Sequence, residues 1–105
     1  MRNLPILEHV VLDVTDGPGF EAAYADAIEL VLASEGCRHA WLRRCLETAD
    51  RYLLLIEWDT LEAHTVGFRE SDAFPAWREQ VGPFFVGPPD VEHYELVAST
   101  PAGAP

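Results

Sequence analysis

The spacing of apolar residues changes several times along the chain, and each spacing predicts a different element. Residues 6–14 and 52–58 are rich in β-branched and other apolar side chains, which is typical of strands. Residues 37–46 and 91–97 predict two further strands. After the first strand, apolar residues recur at spacings of three and four, which predicts a helix ending near Gly36. Its apolar stripe consists of Phe20, Tyr24, Ala27, Ile28, Val31 and Leu32.

The segment between the third and fourth strands predicts two short helices followed by a loop. Either Asp59 or Thr60 caps the first helix, and Asp59 has capping-box spacing to Glu62. Gly67 weakens this helix, and Ser71 has the character of an N-cap for the second. We therefore expect two short helices here.

The order strand, helix, strand, strand, helices, strand predicts an α+β fold, the ferredoxin-like βαββαβ arrangement. Its antiparallel four-stranded sheet has the first and third strands at the centre and the helices on one face. Residues 52–58 are apolar on both faces, so the opposite face of the sheet also needs cover. A second copy of the same sheet is the simplest cover, which predicts a homodimer. Residues 1–97 form the single domain, and the Pro-rich residues 98–105 form a flexible tail.

Charge narrows the possible partners. The 105 residues contain 18 Asp and Glu but only 7 cationic side chains, and the formal net charge is -11. Such an acidic surface repels nucleic acid and anionic membranes. All seven cations are Arg, which excludes Schiff-base chemistry and a Walker-type phosphate loop. The longest apolar run is too short to span a membrane, and the first residues lack the apolar core of a signal peptide, so we expect a cytoplasmic protein.

Neither a metal site nor a cofactor site is predicted. Cys37 and Cys45 lie eight residues apart in one predicted strand, roughly 26 Å at the usual rise per residue, which is too far for a disulfide. The Cys and His residues lack the spacing of metal ligands. No Gly-rich loop follows a strand, so flavin and nicotinamide have no support in the sequence.

The second half of the chain resembles a known family. Residues 52–64 read YLLLIEWDTLEAH, and residues 67–71 read GFRES. The pattern continues with Phe74, the Trp77-Arg78 pair and residues 83–85 and 91–95. These motifs resemble antibiotic biosynthesis monooxygenase (ABM) domains, and with the strand–helix opening the resemblance covers about residues 6–97.

The resemblance implies a dimeric α+β barrel in which two sheets pack face to face and each subunit has a pocket between sheet and helices. Several members of the family are cofactor-free oxygenases that convert anthrones or quinols to quinones, whereas others degrade haem or have no known reaction. The residues that mark the haem-degrading members are replaced here by Phe68 and Arg78, and the single Asn, Asn3, precedes the first strand. We therefore expect a cofactor-independent monooxygenase acting on a small aromatic substrate. The alternative is a non-catalytic ligand-binding or stress-associated dimer that uses the same pocket.

His64 is the candidate catalytic residue. It lies on the helix after the most apolar strand, next to the predicted pocket, with Phe68 one turn further along the same face. A neutral imidazole there could remove a phenolic proton, because the unperturbed pKa of His lies near neutrality. Exposed carboxylates with a pKa near 4 are poorer bases for a phenol. The structural alternative is a half-exposed His that hydrogen-bonds a carboxylate.

Aromatic residues provide candidate substrate contacts. At helical spacing these rings are also typical of an ordinary core, so a structural role competes with the stacking of a flat ligand. His9 and His93 each follow a glutamate and would lie on neighbouring strands, either in the pocket or paired with those carboxylates at the dimer seam. The substrate-binding candidates are Phe68, Phe74, Trp77, Phe84 and His9.

Overall fold

The computed structural model describes residues 5–103 and has the element order that the sequence predicts. Residues 1–4 of the predicted domain and residues 104 and 105 of the predicted tail lie outside the described residues. Residues 96–103 are exposed and form no helix or strand. The elements are β1 (Ile6–Asp13), α1 (Gly17–Leu32), β2 (Cys37–Arg44), β3 (Arg51–Trp58), a π-helix (Ala63–Phe68), α2 (Ala73–Val81), a 3₁₀ turn (Gly82–Phe84) and β4 (Asp90–Glu95).

The four strands form one antiparallel sheet in the order β2-β3-β1-β4. The prediction that the first and third strands are central is confirmed, and so is the ferredoxin-like α+β fold. Three strands end earlier than predicted, β1 at Asp13, β2 at Arg44 and β4 at Glu95. For β4 the cause is its partner, because Glu95 pairs with Ile6, the first residue of β1.

Burial alternates along both central strands and gives the sheet two unlike faces. The covered face carries Glu8, Val10, Leu12, Leu54 and Ile56, all buried beneath the helices. The open face carries the half-buried residues between them, among them His9, Val11, Leu53 and Leu55.

The core lies between the covered face and the helices. Trp58, Phe20 and Val31 are completely or almost completely buried there. Burying one such side chain stabilises the fold by about 1.5–3 kcal/mol. Gly36, with a φ of 87°, is the last residue of the connection between α1 and β2. A Cβ at this position would lie 2.7 Å from the Cβ of Ala63. This glycine therefore lets the start of β2 approach the π-helix closely.

The segment after β3 differs from the prediction in its helix type. Thr60 provides the cap, since its Oγ1 accepts a hydrogen bond from the Ala63 N–H at 3.1 Å, whereas Asp59 pairs with Arg38. The following turn is a π-helix, in which the Arg69 N–H donates to the His64 carbonyl at 3.0 Å. Wide turns of this kind occur frequently at functional sites.

The predicted N-cap at Ser71 is wrong. Its hydroxyl donates to the Phe68 carbonyl at 2.7 Å, and so it completes the end of the π-helix. The cap position of α2 is occupied by Asp72, whose side chain makes no capping hydrogen bond. Both cysteines are free thiols. Within residues 5–103 no helix is long and apolar enough to cross a membrane.

Candidate functional site

A cavity of about 410 Å³ lies between the covered face and the helices. Its volume falls in the range of roughly 300–1,000 Å³ that is usual for small-molecule sites. Val10, Leu54 and Ile56 contribute to its floor, and the aromatic side chains of the π-helix and α2 form a wall. The lining is therefore largely apolar. Its ionisable side chains are Glu8, His64, Arg69 and Arg78.

The structure brings most of the predicted site residues together, but not all of them. His64, Phe68, Phe74 and Trp77 line the cavity. Phe84 does not line it; its ring packs edge-on against Phe20 with 6.4 Å between ring centroids, and the neighbouring Phe85 lines the cavity instead. His9 lies on the open face, where its ring contacts Tyr94 with 5.3 Å between centroids.

His64 packs against two aromatic rings that also contact each other. Its side chain is 3% exposed, so the alternative of a half-exposed helix histidine is wrong. The imidazole stacks on Trp58 with 5.3 Å between centroids and 27° between planes. Phe68, four residues further along the π-helix, lies nearly parallel to it at 6.4 Å. These rings set the orientation of the imidazole and remove it from water.

Both ring nitrogens of His64 have polar neighbours. Nε2 lies 3.4 Å from Oε1 of Glu8, and Nδ1 lies 2.8 Å from Nε2 of His93 on β4. One of the two rings donates a hydrogen in the His64–His93 contact and the other accepts it. Glu8, His64 and His93 thus form a continuous polar chain, which we call the Glu8–His64–His93 chain, from the cavity to the edge strand of the sheet.

Burial changes the acidity of Glu8 strongly. Its side chain is 8% exposed, and Oε1 accepts a hydrogen bond from Nε1–H of Trp58 at 2.9 Å. Burial raises the pKa of Glu8 to about 7, against the opposing effects of the Trp58 hydrogen bond and the positive charge of Arg69. The carboxyl group therefore titrates near neutral pH, in the range suited to a general base.

Burial has the opposite effect on the imidazoles. It lowers the pKa of His64 to about 4, with smaller contributions from the charges of Arg69 and His93, and it also lowers the pKa of His93. At neutral pH both rings are uncharged. The contact between Glu8 and His64 is accordingly a polar contact to a neutral imidazole and not a salt bridge.

These pKa values differ from the ordinary ones on which the choice of His64 as the base rested. His64 is a weaker base than an exposed histidine, and Glu8 is a stronger base than an exposed carboxylate. Glu8 was not among the residues predicted from the sequence, although one signal was present: it occupies the same face of β1 as the apolar Val10 and Leu12. A charged residue in an apolar row is either paired or functional.

The prediction that His9 and His93 lie on neighbouring strands is confirmed, since β1 pairs with β4. The antiparallel register pairs His93 with Glu8 on the covered face, so it does not pair with the Glu92 that precedes it. Glu92 instead accepts a hydrogen bond from the Tyr94 hydroxyl at 3.1 Å. Within residues 5–103 no three His, Cys, Asp or Glu side chains are grouped as ligands for a metal ion.

The comparison with known proteins decides the family. The sequence model of the antibiotic biosynthesis monooxygenase family matches residues 16–80. The chain belongs to this family. The resemblance inferred from the motifs at residues 52–71 is therefore confirmed.

This chain is similar to two other proteins over nearly their whole lengths. It is 35% identical over 94 residues to the uncharacterized protein YczJ of Bacillus subtilis (strain 168), covering 88% of this chain and 99% of that protein. A candidate antibiotic biosynthesis monooxygenase from Bordetella bronchiseptica is 37% identical, with a TM-score of 0.86 over 90% of this chain and 99% of its own.

A more distant solved structure has the same fold. SnoaB, a cofactor-independent oxygenase from Streptomyces nogalater, superposes with a TM-score of 0.79 over 93% of this chain and 98% of its own. Its identity to this chain is 13%, so the similarity extends to the fold alone.

Proposed function

We propose that this ABM family member is a cofactor-independent monooxygenase that oxidises a small aromatic substrate with molecular oxygen. The observation that carries the proposal is the Glu8–His64–His93 chain at the wall of an apolar cavity lined by aromatic rings. Removal of a proton from a phenol or an anthrone raises the electron density of the ring for reaction with oxygen, and the Glu8–His64–His93 chain contains a carboxyl group that titrates near pH 7.

The cavity wall suits a flat substrate. Phe68 and Phe74 meet edge to face with 5.6 Å between ring centroids, and Trp77 lines the same cavity. Aromatic ligands stack or pack edge-on against such rings. A ring held there lies next to Glu8 and His64, which also line the cavity.

The proton step uses Glu8 and His64 as a unit. Above the pKa of Glu8 its carboxylate accepts the substrate proton, and His64 can exchange a proton with Glu8 through Nε2 and with His93 through Nδ1. His93 is half-buried on the edge strand β4, so it links the chain to solvent.

The proposed reaction needs no cofactor, because the substrate supplies the electrons and molecular oxygen accepts them. The CH₂ group of an anthrone loses one proton to the Glu8–His64 pair, and oxygen adds to that carbon as the substrate supplies the electrons. The resulting peroxide takes up the proton. Loss of the second C–H proton and cleavage of the O–O bond release water and leave the quinone carbonyl.

We further propose that the open face forms a homodimer interface. Val11, Leu53 and Leu55 are only half-buried there, and the helices pack on the other side of the sheet. Pairing two open faces would remove this apolar surface from water. Sedimentation velocity checks the proposal, because a single species of monomer mass at micromolar concentration would contradict it.

A second candidate function is ligand binding without catalysis. One observation favours it: both nitrogens of His64 already have polar neighbours, as expected for a histidine that supports the fold. The two functions differ in oxygen consumption, which makes them separable by experiment.

Oxygen uptake by metal-free protein, measured with anthrones, naphthols and hydroquinones, tests the proposed function. We expect turnover with at least one of these compounds, and we expect His64→Ala to lower it by about 10²-fold or more, the usual size of a general-base contribution. His39→Ala, at an exposed histidine on β2, is the matched control and should keep the wild-type rate. Binding of the panel without oxygen uptake would instead support the ligand-binding function.

A further inference from the structure

Two arginines at the cavity have no carboxylate partner. In the part of the chain that the structure describes, Arg38, Arg44 and Arg51 each form an ion pair with an acidic side chain. Arg69 and Arg78 form none within residues 5–103, and both line the cavity. Arg43 on β2 also forms no ion pair within the described residues, so the feature that distinguishes Arg69 and Arg78 is that both line the same cavity.

The two guanidinium groups share an aromatic support. Cζ of Arg69 lies 5.7 Å and Cζ of Arg78 lies 5.9 Å from the centroid of the Phe74 ring. Arg78 also lies 5.5 Å from the centroid of Phe85. Cation–π contacts of this kind hold a guanidinium in place and leave its N–H donors free for a ligand.

The positive charge of Arg69 reaches the polar end of the cavity. It contributes to lowering the pKa values of Glu8, His64 and His93. A carboxylate bound to Arg69 would screen this charge. The cavity thus combines aromatic rings, an unneutralised cationic rim and a proton-accepting end.

We propose that Arg69 and Arg78 form an anion-binding subsite at the rim of the cavity and that the ligand is an aromatic carboxylate. The inference refines the substrate class of the proposed function and rests on the same cavity. The ligand carboxylate contacts the two guanidinium groups, and its ring packs against Phe74 and Trp77. This orientation directs the far end of the ring, where a phenolic or benzylic group would react, toward Glu8 and His64.

Guanidinium chemistry favours this class of ligand. The planar fork of an arginine matches a carboxylate with two parallel hydrogen bonds, and charge-assisted bonds are stronger than neutral ones. An ester of the same ring keeps the stacking surface and loses the charge. A carboxylate and its methyl ester are therefore the matched ligand pair for a test.

Isothermal titration calorimetry with 6-hydroxy-2-naphthoate, whose hydroxyl lies at the far end of the ring from the carboxylate, and its methyl ester, in low-salt buffer, tests the inference. We expect wild-type protein to bind the carboxylate more tightly than the ester by about tenfold to a hundredfold, as for loss of charge-assisted hydrogen bonds. The double variant Arg69→Gln/Arg78→Gln should lose this preference and keep its affinity for the ester. Arg38→Gln, which removes the same charge from β2, should retain the preference.

Two further readouts check that the charge itself is recognised. The double variant Arg69→Lys/Arg78→Lys should recover part of the preference, because the charge remains although the fork is lost. Added salt should weaken carboxylate binding and leave ester binding unchanged. Thermal unfolding of each variant shows that the fold is retained.

The outcomes separate this inference from the proposed function. Equal affinity of wild-type protein for both ligands, no binding of either, or an unchanged preference in the Gln double variant would overturn the aromatic-carboxylate site. Charge-dependent binding without oxygen uptake would support the site and contradict the monooxygenase. Oxygen uptake with neutral phenols that is unaffected by the double variant would support the monooxygenase and overturn the site.

Discussion

The chain contains the dipeptide Glu-His twice, and the sheet places the two copies in unlike surroundings. Glu8–His9 on β1 and Glu92–His93 on β4 run antiparallel, with Glu8 opposite His93 and His9 opposite Glu92. Each face of the sheet therefore receives one Glu and one His. On the covered face His64 joins the pair, whereas on the open face Tyr94 contacts both His9 and Glu92.

Both faces carry the same two residue types, so burial and not residue type accounts for the raised pKa of Glu8. Glu8 has a pKa raised to about 7 because burial beneath the helices removes it from water. Glu92 is exposed on the other face of the same two strands. The protonation of ordinary residues at such a site thus depends on the helices and side chains that cover them. The variants described next test this dependence.

The largest effect is expected from Trp77, whose ring covers the cavity from α2. Trp77→Ala should reduce the free energy of unfolding by roughly 3–5 kcal/mol, because removal of a buried aromatic ring leaves a void. Urea denaturation measures the loss. Trp77→Phe, which keeps a ring, should lose less than half as much, and equal losses for the two variants would contradict a packing role for the ring.

A smaller effect, with a defined pH dependence, is expected from Glu8→Gln. The folded pKa of Glu8 is raised from 4.5 to about 7, so its contribution to stability is fully present below pH 4.5 and is lost as pH rises to 7. Glu8→Gln has no carboxyl group to ionise, so this variant does not lose stability in the same way as pH rises. Its stability relative to wild type should increase between pH 4.5 and 7 by up to about 3 kcal/mol.

Urea denaturation of both proteins across this pH range checks the Glu8 prediction. His64 has the opposite dependence, since its lowered pKa gives stability that is present above pH 6.5 and lost as pH falls to about 4. The same histidine is present in both proteins, so its contribution cancels in the difference. A difference that does not change with pH would show that Glu8 has an ordinary pKa.

The smallest effect is expected from His93, which is only half-buried. His93→Ala leaves Nδ1 of the buried His64 without its partner, which should cost about 1–2 kcal/mol of stability. His93→Gln offers an amide to the same nitrogen and should recover most of this loss. Thermal unfolding compares the two variants, and identical melting temperatures would mean that the His64–His93 contact is not stabilising.

The sequence predicted the fold more fully than the site. Residues 6–14 and 52–58 showed the strand pattern, and the apolar character of both faces of β3 indicated its central place. The π-helix was not predicted, because the apolar spacing of His64 and Phe68 suits an α-helical turn as well. Ser71 resembled an N-cap, but a hydroxyl can also donate backward to a carbonyl, as it does here.

The residues that line the cavity were predicted where local spacing brings them together, whereas Glu8 was missed because its place depends on distant contacts. His64, Phe68, Phe74 and Trp77 come from one continuous segment, and all four line the cavity. Glu8 and His93 come from strands at opposite ends of the chain, and only the β1–β4 register unites them. The raised pKa of Glu8 follows from burial, which no local pattern of charges reveals.

The most direct test of the proposed function is the pH dependence of kcat/KM for oxygen uptake on a substrate found in the panel, in wild type, Glu8→Gln and Glu92→Gln. These two variants make the same substitution on opposite faces of the sheet. We predict that wild type and Glu92→Gln rise in activity with pH and level off above about pH 7, because Glu8 must lose its proton to act as a base. Glu8→Gln should lose this rise and about 10²-fold or more in rate. An unchanged rate and an unchanged pH profile in Glu8→Gln would contradict the proposal that the Glu8–His64 pair removes the substrate proton.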